Sequence, residues 1–125
     1  MPSSEPSRVL VLENDYSNRI LFAEYLEHCG YSVCPLADER RIFEYLESFC
    51  PDVVVLDLRM PVIDGFTIIG QLRSHPRWRK VSILVVSGCT LLSEQRKAYQ
   101  LGADAYLIKP FFPSDLSLAV AQLIG

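Results

Sequence analysis

Short apolar runs alternate with longer amphipathic stretches along nearly the whole chain. The runs are residues 9–12, 31–36, 53–56, 81–86 and 105–108, and their lengths and β-branched content predict five strands. The third, Val53-Val54-Val55-Leu56, has no polar position and reads as a strand covered on both faces. Between the runs the period changes. Phe22, Tyr25, Leu26 and Cys29 share one face of a helix that Gly30 would stop. Ile42, Tyr45, Leu46 and Phe49 repeat that spacing, with Asp38 as a plausible cap before them. Phe66, Ile69 and Leu72 mark a third helix. Residues 91–101, closed by Gly102, make a more polar fourth. Leu116, Ala119, Val120 and Leu123 make a fifth, with Pro113 and Ser114 at its start.

Strand and helix therefore alternate five times. That order predicts parallel pairing through right-handed crossovers, hence an α/β domain built on a doubly wound five-stranded parallel sheet. The 125 residues fit one domain, expected over residues 8–125. Residues 1–7 are polar with two prolines; they read as a disordered lead-in and not as a signal peptide. No apolar run approaches the length of a membrane span, so a cytoplasmic protein without a membrane partner is expected. The net charge of -3 offers no basic surplus for phosphates, which argues against direct nucleic-acid binding. Cys29, Cys34, Cys50 and Cys89 form no CxxC pair; they read as reduced thiols, mostly filling core.

In a doubly wound sheet, polar groups just past the carboxyl ends of the strands converge on one crevice. Strand one ends in Glu13-Asn14-Asp15, strand three in Asp57, strand four in Ser87-Gly88 and strand five in Lys109-Pro110. Each alone has an ordinary reading: a helix cap, a loop hydroxyl, a solvated lysine. Four such ends in this order fit a phosphoryl acceptor. A carboxylate can attack phosphorus to form an acyl phosphate. The dense charge of the transferring group needs a hard cation and fixed donors. Acidic oxygens of strand one with Asp57 can hold Mg²⁺, Lys109 brings a point charge, Ser87 a neutral donor, and Gly88 leaves the approach open.

The segment Val55-Leu56-Asp57-Leu58-Arg59-Met60-Pro61-Val62-Ile63-Asp64-Gly65 resembles the phospho-acceptor segment of response-regulator receivers of two-component systems. The likeness covers nearly the whole chain. It implies the (βα)5 flavodoxin-like receiver fold, with phosphorylation at Asp57. It also implies Mg²⁺ held by Glu13, Asn14, Asp57 and the backbone carbonyl of Arg59. Ser87 and Lys109 would contact the phosphoryl group and Tyr106 would be the switch aromatic. Arg59 and Cys89, each two residues past a site residue, would flank the acceptor and tune its hydrolysis. The implied phosphodonor is a histidine kinase or phosphotransfer protein. A partner or a second copy would dock on the face of helix four, strand five and helix five. The domain would be no enzyme beyond its own phosphorylation and dephosphorylation.

One position departs from that pattern. The second acidic residue, the direct metal ligand of the pair, is Asn14, which brings an amide oxygen and no charge. Asn14 is the one feature favouring an alternative, a pseudo-receiver acting as a phosphorylation-independent interaction module. An aspartyl phosphohydrolase would need a second Asp two residues after the first, where this chain has Arg59. A flavin-type cofactor binder would need a phosphate loop after strand one, which is lacking. Asp64-Gly65 and Pro61 are expected to shape the loop. The basic stretch at residues 75–80 is expected to be a solvated loop at the opposite end of the sheet.

Overall fold

Five parallel strands lie in the order β2-β1-β3-β4-β5 in the computed structural model, which describes residues 5–125. They are β1 (Arg8–Leu12), β2 (Ser32–Leu36), β3 (Val53–Asp57), β4 (Ser82–Ser87) and β5 (Ala105–Ile108). The helices are α1 (Tyr16–His28), α2 (Ile42–Phe49), α3 (Gly65–Ser74), α4 (Leu92–Leu101) and α5 (Pro113–Ile124). This is the doubly wound α/β arrangement that the alternation predicts. The strand order reverses between β1 and β3, so a crevice opens at their carboxyl ends.

The period of two within each strand sorts side chains into two cores. Leu10, Leu12, Val54, Leu56, Ile83 and Val85 face α2, α3 and α4, meeting Leu46, Ile69, Leu72 and Ala98. Val9, Val11, Val53, Val55, Leu84 and Val86 face α1 and α5, meeting Phe22, Leu26, Leu116 and Val120. Every residue of β3 is buried, as its unbroken apolar run requires. Pro35 lies on an edge strand, β2, the place where a missing N–H is tolerated.

Helix ends follow the punctuation. The Asp15 carboxylate accepts Asn18 N at 2.8 Å and caps α1. At the other end Gly30 takes φ +100°, and Tyr31 N closes onto the Leu26 carbonyl at 3.1 Å. Asp64 caps α3 through Thr67 N at 2.9 Å.

The structure corrects several expectations. Both β3 and β4 run one residue further than predicted, so Asp57 and Ser87 are the last residues of their strands. Asp38 caps a short 3-10 turn, Glu39–Arg41, that precedes α2. None of the four cysteines is fully buried: Cys29 is exposed and Cys34, Cys50 and Cys89 are half-buried, and only Cys34 and Cys50 pack against the core. They ride at rims where a small thiol meets solvent on one side. Residues 75–80 do connect α3 to β4 at the far end of the sheet, but Trp78 is 6% exposed: it joins the apolar core on the α2–α4 side, and Glu47 accepts its indole N–H at 3.3 Å. Part of the expected lead-in, residues 1–4, lies outside the described residues; the carbonyl of Ser7 accepts Ser32 N at 2.9 Å. No helix among the described residues is long and apolar enough to cross a membrane.

Candidate functional site

At the carboxyl ends of β1 and β3 two buried acids stand side by side. Glu13 directly follows β1 and is 0% exposed; Asp57 ends β3 and is 4% exposed. Their backbones leave little freedom. Glu13 N donates to the Leu36 carbonyl at 3.2 Å, and the Glu13 carbonyl accepts Arg19 Nη1 at 2.9 Å. Asp57 stays in register with Val86 of β4, one residue past the last β1–β3 pair, Leu12 with Leu56.

Lys109 closes the group. Its N–H donates to the Ser87 carbonyl at 2.8 Å, which ties its backbone to the end of β4. From there the side chain crosses the ends of β4 and β3. Its Nζ donates to both oxygens of Glu13 at 3.0 Å and to Asp57 Oδ2 at 3.4 Å. The other oxygen of Asp57, Oδ1, accepts Arg59 N at 3.0 Å. One ammonium thus serves two carboxylates. Burial, followed by the charge of Asp57, pushes the Glu13 carboxyl above its ordinary value, and Lys109 only partly offsets this.

Ser87 borders this cluster and is fully buried. Its Oγ accepts Cys89 N at 3.2 Å, and the Tyr106 hydroxyl donates to the Cys89 carbonyl at 3.2 Å. Burial raises the Tyr106 phenol above its ordinary value, opposed by a hydrogen bond from Ser87. Tyr106 is therefore joined to the β4–α4 connection through Cys89. A Cβ on Gly88 would meet nothing within 4 Å, so the approach above Ser87 is open.

The sequence-predicted residues do not all play equal parts. Glu13, Asp57 and Lys109 touch one another; Ser87, Cys89 and Tyr106 form the adjoining chain. Asn14 is exposed, and its carbonyl accepts Arg19 Nη1 at 3.4 Å. The carboxylate of Asp15 is engaged in capping α1 and is directed to the helix. The Arg59 backbone faces Asp57, while its guanidinium lies 3.6 Å from Glu94 Oε1 on α4. The other oxygen, Glu94 Oε2, is buried without a donor. Sequence reasoning missed Glu39, 2% exposed, whose Oε1 accepts Val62 N at 2.6 Å and Ile63 N at 3.1 Å. Nothing in the string Ala37-Asp38-Glu39-Arg40-Arg41 distinguishes it from a solvated acid.

Two carboxylates converging on one point supply the hard anionic oxygens that Mg²⁺ takes. Among the described residues no group of three or more His, Cys, Asp or Glu is gathered to hold a metal. The anionic donors here are therefore two, and further coordination would fall to neutral oxygens: the Arg59 carbonyl, the Asn14 amide and water. That set suits an ion that normally keeps several waters.

Residues 9–121 match the response regulator receiver domain family. Protein RcaC of Microchaete diplosiphon is 35% identical over 105 residues, which cover 84% of this chain and 16% of that protein. Among solved structures, chemotaxis protein CheY4 of Vibrio cholerae superposes with a TM-score of 0.89 at 26% identity, covering 94% of this chain and 98% of that one. The receiver domain of the sensor histidine kinase PA1611 of Pseudomonas aeruginosa superposes at 0.86 with 27% identity, covering 96% and 98%; that structure has a magnesium ion coordinated in its active-site cleft. The chain spans about half or less of the length of the curated relatives it matches.

Proposed function

The chain belongs to the response regulator receiver domain family, and from that premise we propose that it is a cytoplasmic signalling switch that accepts a phosphoryl group on Asp57. The observation that carries this reading is the convergence of Lys109, from β5, on Glu13 and Asp57 at the ends of β1 and β3. A lysine from β5 reaches past β4 to acids at the ends of two other strands, and so gathers the charged groups of three strand ends at one point.

The chemistry follows from the groups at hand. An Asp57 oxygen attacks the phosphorus of a phosphohistidine on a kinase or phosphotransfer protein. The O–P bond forms as the N–P bond breaks, and the imidazole leaves with the electron pair. The Arg59 amide fixes the orientation of the carboxylate. Lys109 neutralises charge that develops on the equatorial oxygens, and Ser87 donates a hydrogen bond to one of them. Glu13, Asp57 and the neutral oxygens named above would hold Mg²⁺, which would supply further positive charge there. Hydrolysis returns the site to rest: water attacks the phosphorus, the Asp57 O–P bond breaks, the carboxylate keeps the electron pair and inorganic phosphate departs, with the Arg59 and Cys89 side chains flanking the water's approach. The domain catalyses nothing beyond these two steps.

The output follows from Ser87. A hydrogen bond to a charged phosphoryl oxygen is worth roughly 1.5–3 kcal/mol, enough to bias a two-state equilibrium about tenfold or more. Drawing Ser87 toward Asp57 breaks its bond to Cys89 N and frees the connection that Tyr106 also holds. The start of α4 is susceptible, because Leu91 at its cap position offers no side-chain hydrogen bond. The surface beyond exposes Leu91, Leu92, Tyr99, Ile108 and Phe112, and a partner or second copy docks there.

A second reading rests on Asn14: a phosphorylation-independent interaction module. Incubation with acetyl phosphate, with Mg²⁺ or with EDTA, separates the two. The switch gives Mg²⁺-dependent phosphate on phosphate-affinity gels. No phosphate at any metal or donor concentration establishes the module instead.

A further inference from the structure

We infer that Glu39 is a positioning residue for the acceptor site, acting through the loop that follows Asp57. The inference rests on the reading of Asp57 and its neighbours as an Mg²⁺-dependent phosphoacceptor.

Glu39 is buried as no ordinary loop acid is. Its neighbours in sequence are engaged at the surface. Asp38 accepts Arg40 Nε at 3.0 Å and Nη2 at 3.1 Å, and Arg41 donates to Glu44 at 3.1 and 2.8 Å. The hydrogen bonds of both arginines thus go to other acids, while Glu39 turns inward to the two peptide N–H groups of Val62 and Ile63. Burying a carboxylate is costly unless strong donors meet it, and charge-assisted bonds to N–H groups are roughly twice as strong as neutral ones. A short polar side chain could satisfy two amides at less cost. The charged one makes the tether stiff.

The tethered loop is the one that matters to the site. Its root is closed by Gly65 N donating to the Leu58 carbonyl at 3.0 Å. A Cβ at Gly65 would lie 2.6 Å from Leu58 Cα, so only glycine permits that approach. Its far side, beyond Pro61, is largely exposed, with Val62 62% exposed. Glu39 pins that far side from the β2–α2 connection, 23 and 24 residues away in sequence. Arg59 lies between root and pin. Its amide orients the Asp57 carboxylate, and its carbonyl is one of the neutral oxygens offered to Mg²⁺. With only two anionic ligands available, the placement of that carbonyl weighs more than it would beside three. Glu39 therefore sets metal affinity without touching the metal.

The test compares the parent with Glu39→Ala and Glu39→Gln. Two readouts are needed: Mg²⁺ affinity by calorimetry, and amide hydrogen exchange in the metal-free protein. Loss of a group that positions a ligand typically costs 10- to 100-fold in metal affinity. Glu39→Ala is expected to weaken Mg²⁺ about tenfold and to speed exchange at Arg59, Val62 and Ile63. Phosphorylation at saturating Mg²⁺ should persist. Glu39→Gln keeps one acceptor oxygen and should recover most of the affinity. Val62→Pro removes the N–H from the loop side at an exposed position; it should weaken Mg²⁺ in the same direction and serves if Glu39→Ala fails to fold. Lower thermal stability with parental Mg²⁺ affinity in Glu39→Ala, or in Val62→Pro where that variant replaces it, overturns the inference and leaves Glu39 a structural tether. A parent that binds neither Mg²⁺ nor phosphate overturns the phosphoacceptor reading and this inference together.

Discussion

The two ends of the sheet treat charge in opposite ways. At the amino ends of the strands the arginines Arg73 and Arg77 each meet an acid. Arg73 donates to the Gly102 carbonyl at 3.0 and 2.7 Å, to the Val81 carbonyl at 2.6 Å and to Asp104 Oδ2 at 2.9 Å. Asp104 Oδ2 also accepts Ile83 N at 2.8 Å. Arg77 pairs with Glu47, which holds Trp78 in turn. At the carboxyl ends three acids, Glu13, Glu39 and Asp57, are buried, and one ammonium, Lys109, serves two of them. The difference teaches where the chain gives up stability. The amino end closes helix α4 and two strands with charges that balance; the carboxyl end satisfies its hydrogen bonds but carries more acid than base, which fits the cation proposed to bind there. Local rules broken at one place and obeyed elsewhere mark a functional site.

That contrast can be broken first at its stable end. Arg73→Ala leaves the Gly102 and Val81 carbonyls and Asp104 without their shared donor. We expect a loss of about 3 kcal/mol in urea unfolding, with phosphate incorporation per folded molecule unchanged. A loss below about 1 kcal/mol would mean that water replaces the guanidinium freely. At the other end the effects are smaller and of opposite sign. Asn14→Asp adds a second strand-one carboxylate and should tighten Mg²⁺ about tenfold, roughly 1.4 kcal/mol, by calorimetry. Unchanged affinity would remove residue 14 from the metal's immediate ligands. Glu13→Gln removes one of two buried like charges while keeping the shape. In EDTA it should raise stability by about 1 kcal/mol, a few degrees in Tm, while weakening Mg²⁺. A fall in Tm would mean that Lys109 stabilises the pair more than their repulsion opposes it.

The fold was legible because apolar runs such as Val53-Val54-Val55-Leu56 alternate with helical periodicity, and the alternation leaves few topologies. The acceptor cluster was legible because the rule for doubly wound sheets names strand ends, and strand ends can be read as the last residue of each apolar run. Asp15 leaves the cluster because its carboxylate caps α1. Other features depend on contacts that local pattern does not carry. Glu39 follows a helix cap in a run of charges, and its burial arises from a loop more than twenty residues away. Trp78 sits in a basic stretch that looks solvated, yet its ring belongs to the apolar core and its indole N–H reaches Glu47 on α2, contacts that the local pattern does not show. The cysteines looked like core because thiols usually are, yet each lies where an element meets solvent. The short 3-10 turn before α2 escaped because Asp38 was read as capping the α-helix directly.

The central claim is that the excess acid at the carboxyl ends of the strands serves phosphoryl transfer to Asp57. Intact-protein mass spectrometry after acetyl phosphate and Mg²⁺, on the parent and on Asp57→Asn, tests it most directly. The account predicts that the parent gains the mass of one phosphoryl group, lost again on incubation, and that Asp57→Asn gains none. Undiminished phosphate on Asp57→Asn, or none on the parent at saturating donor and metal, would contradict it.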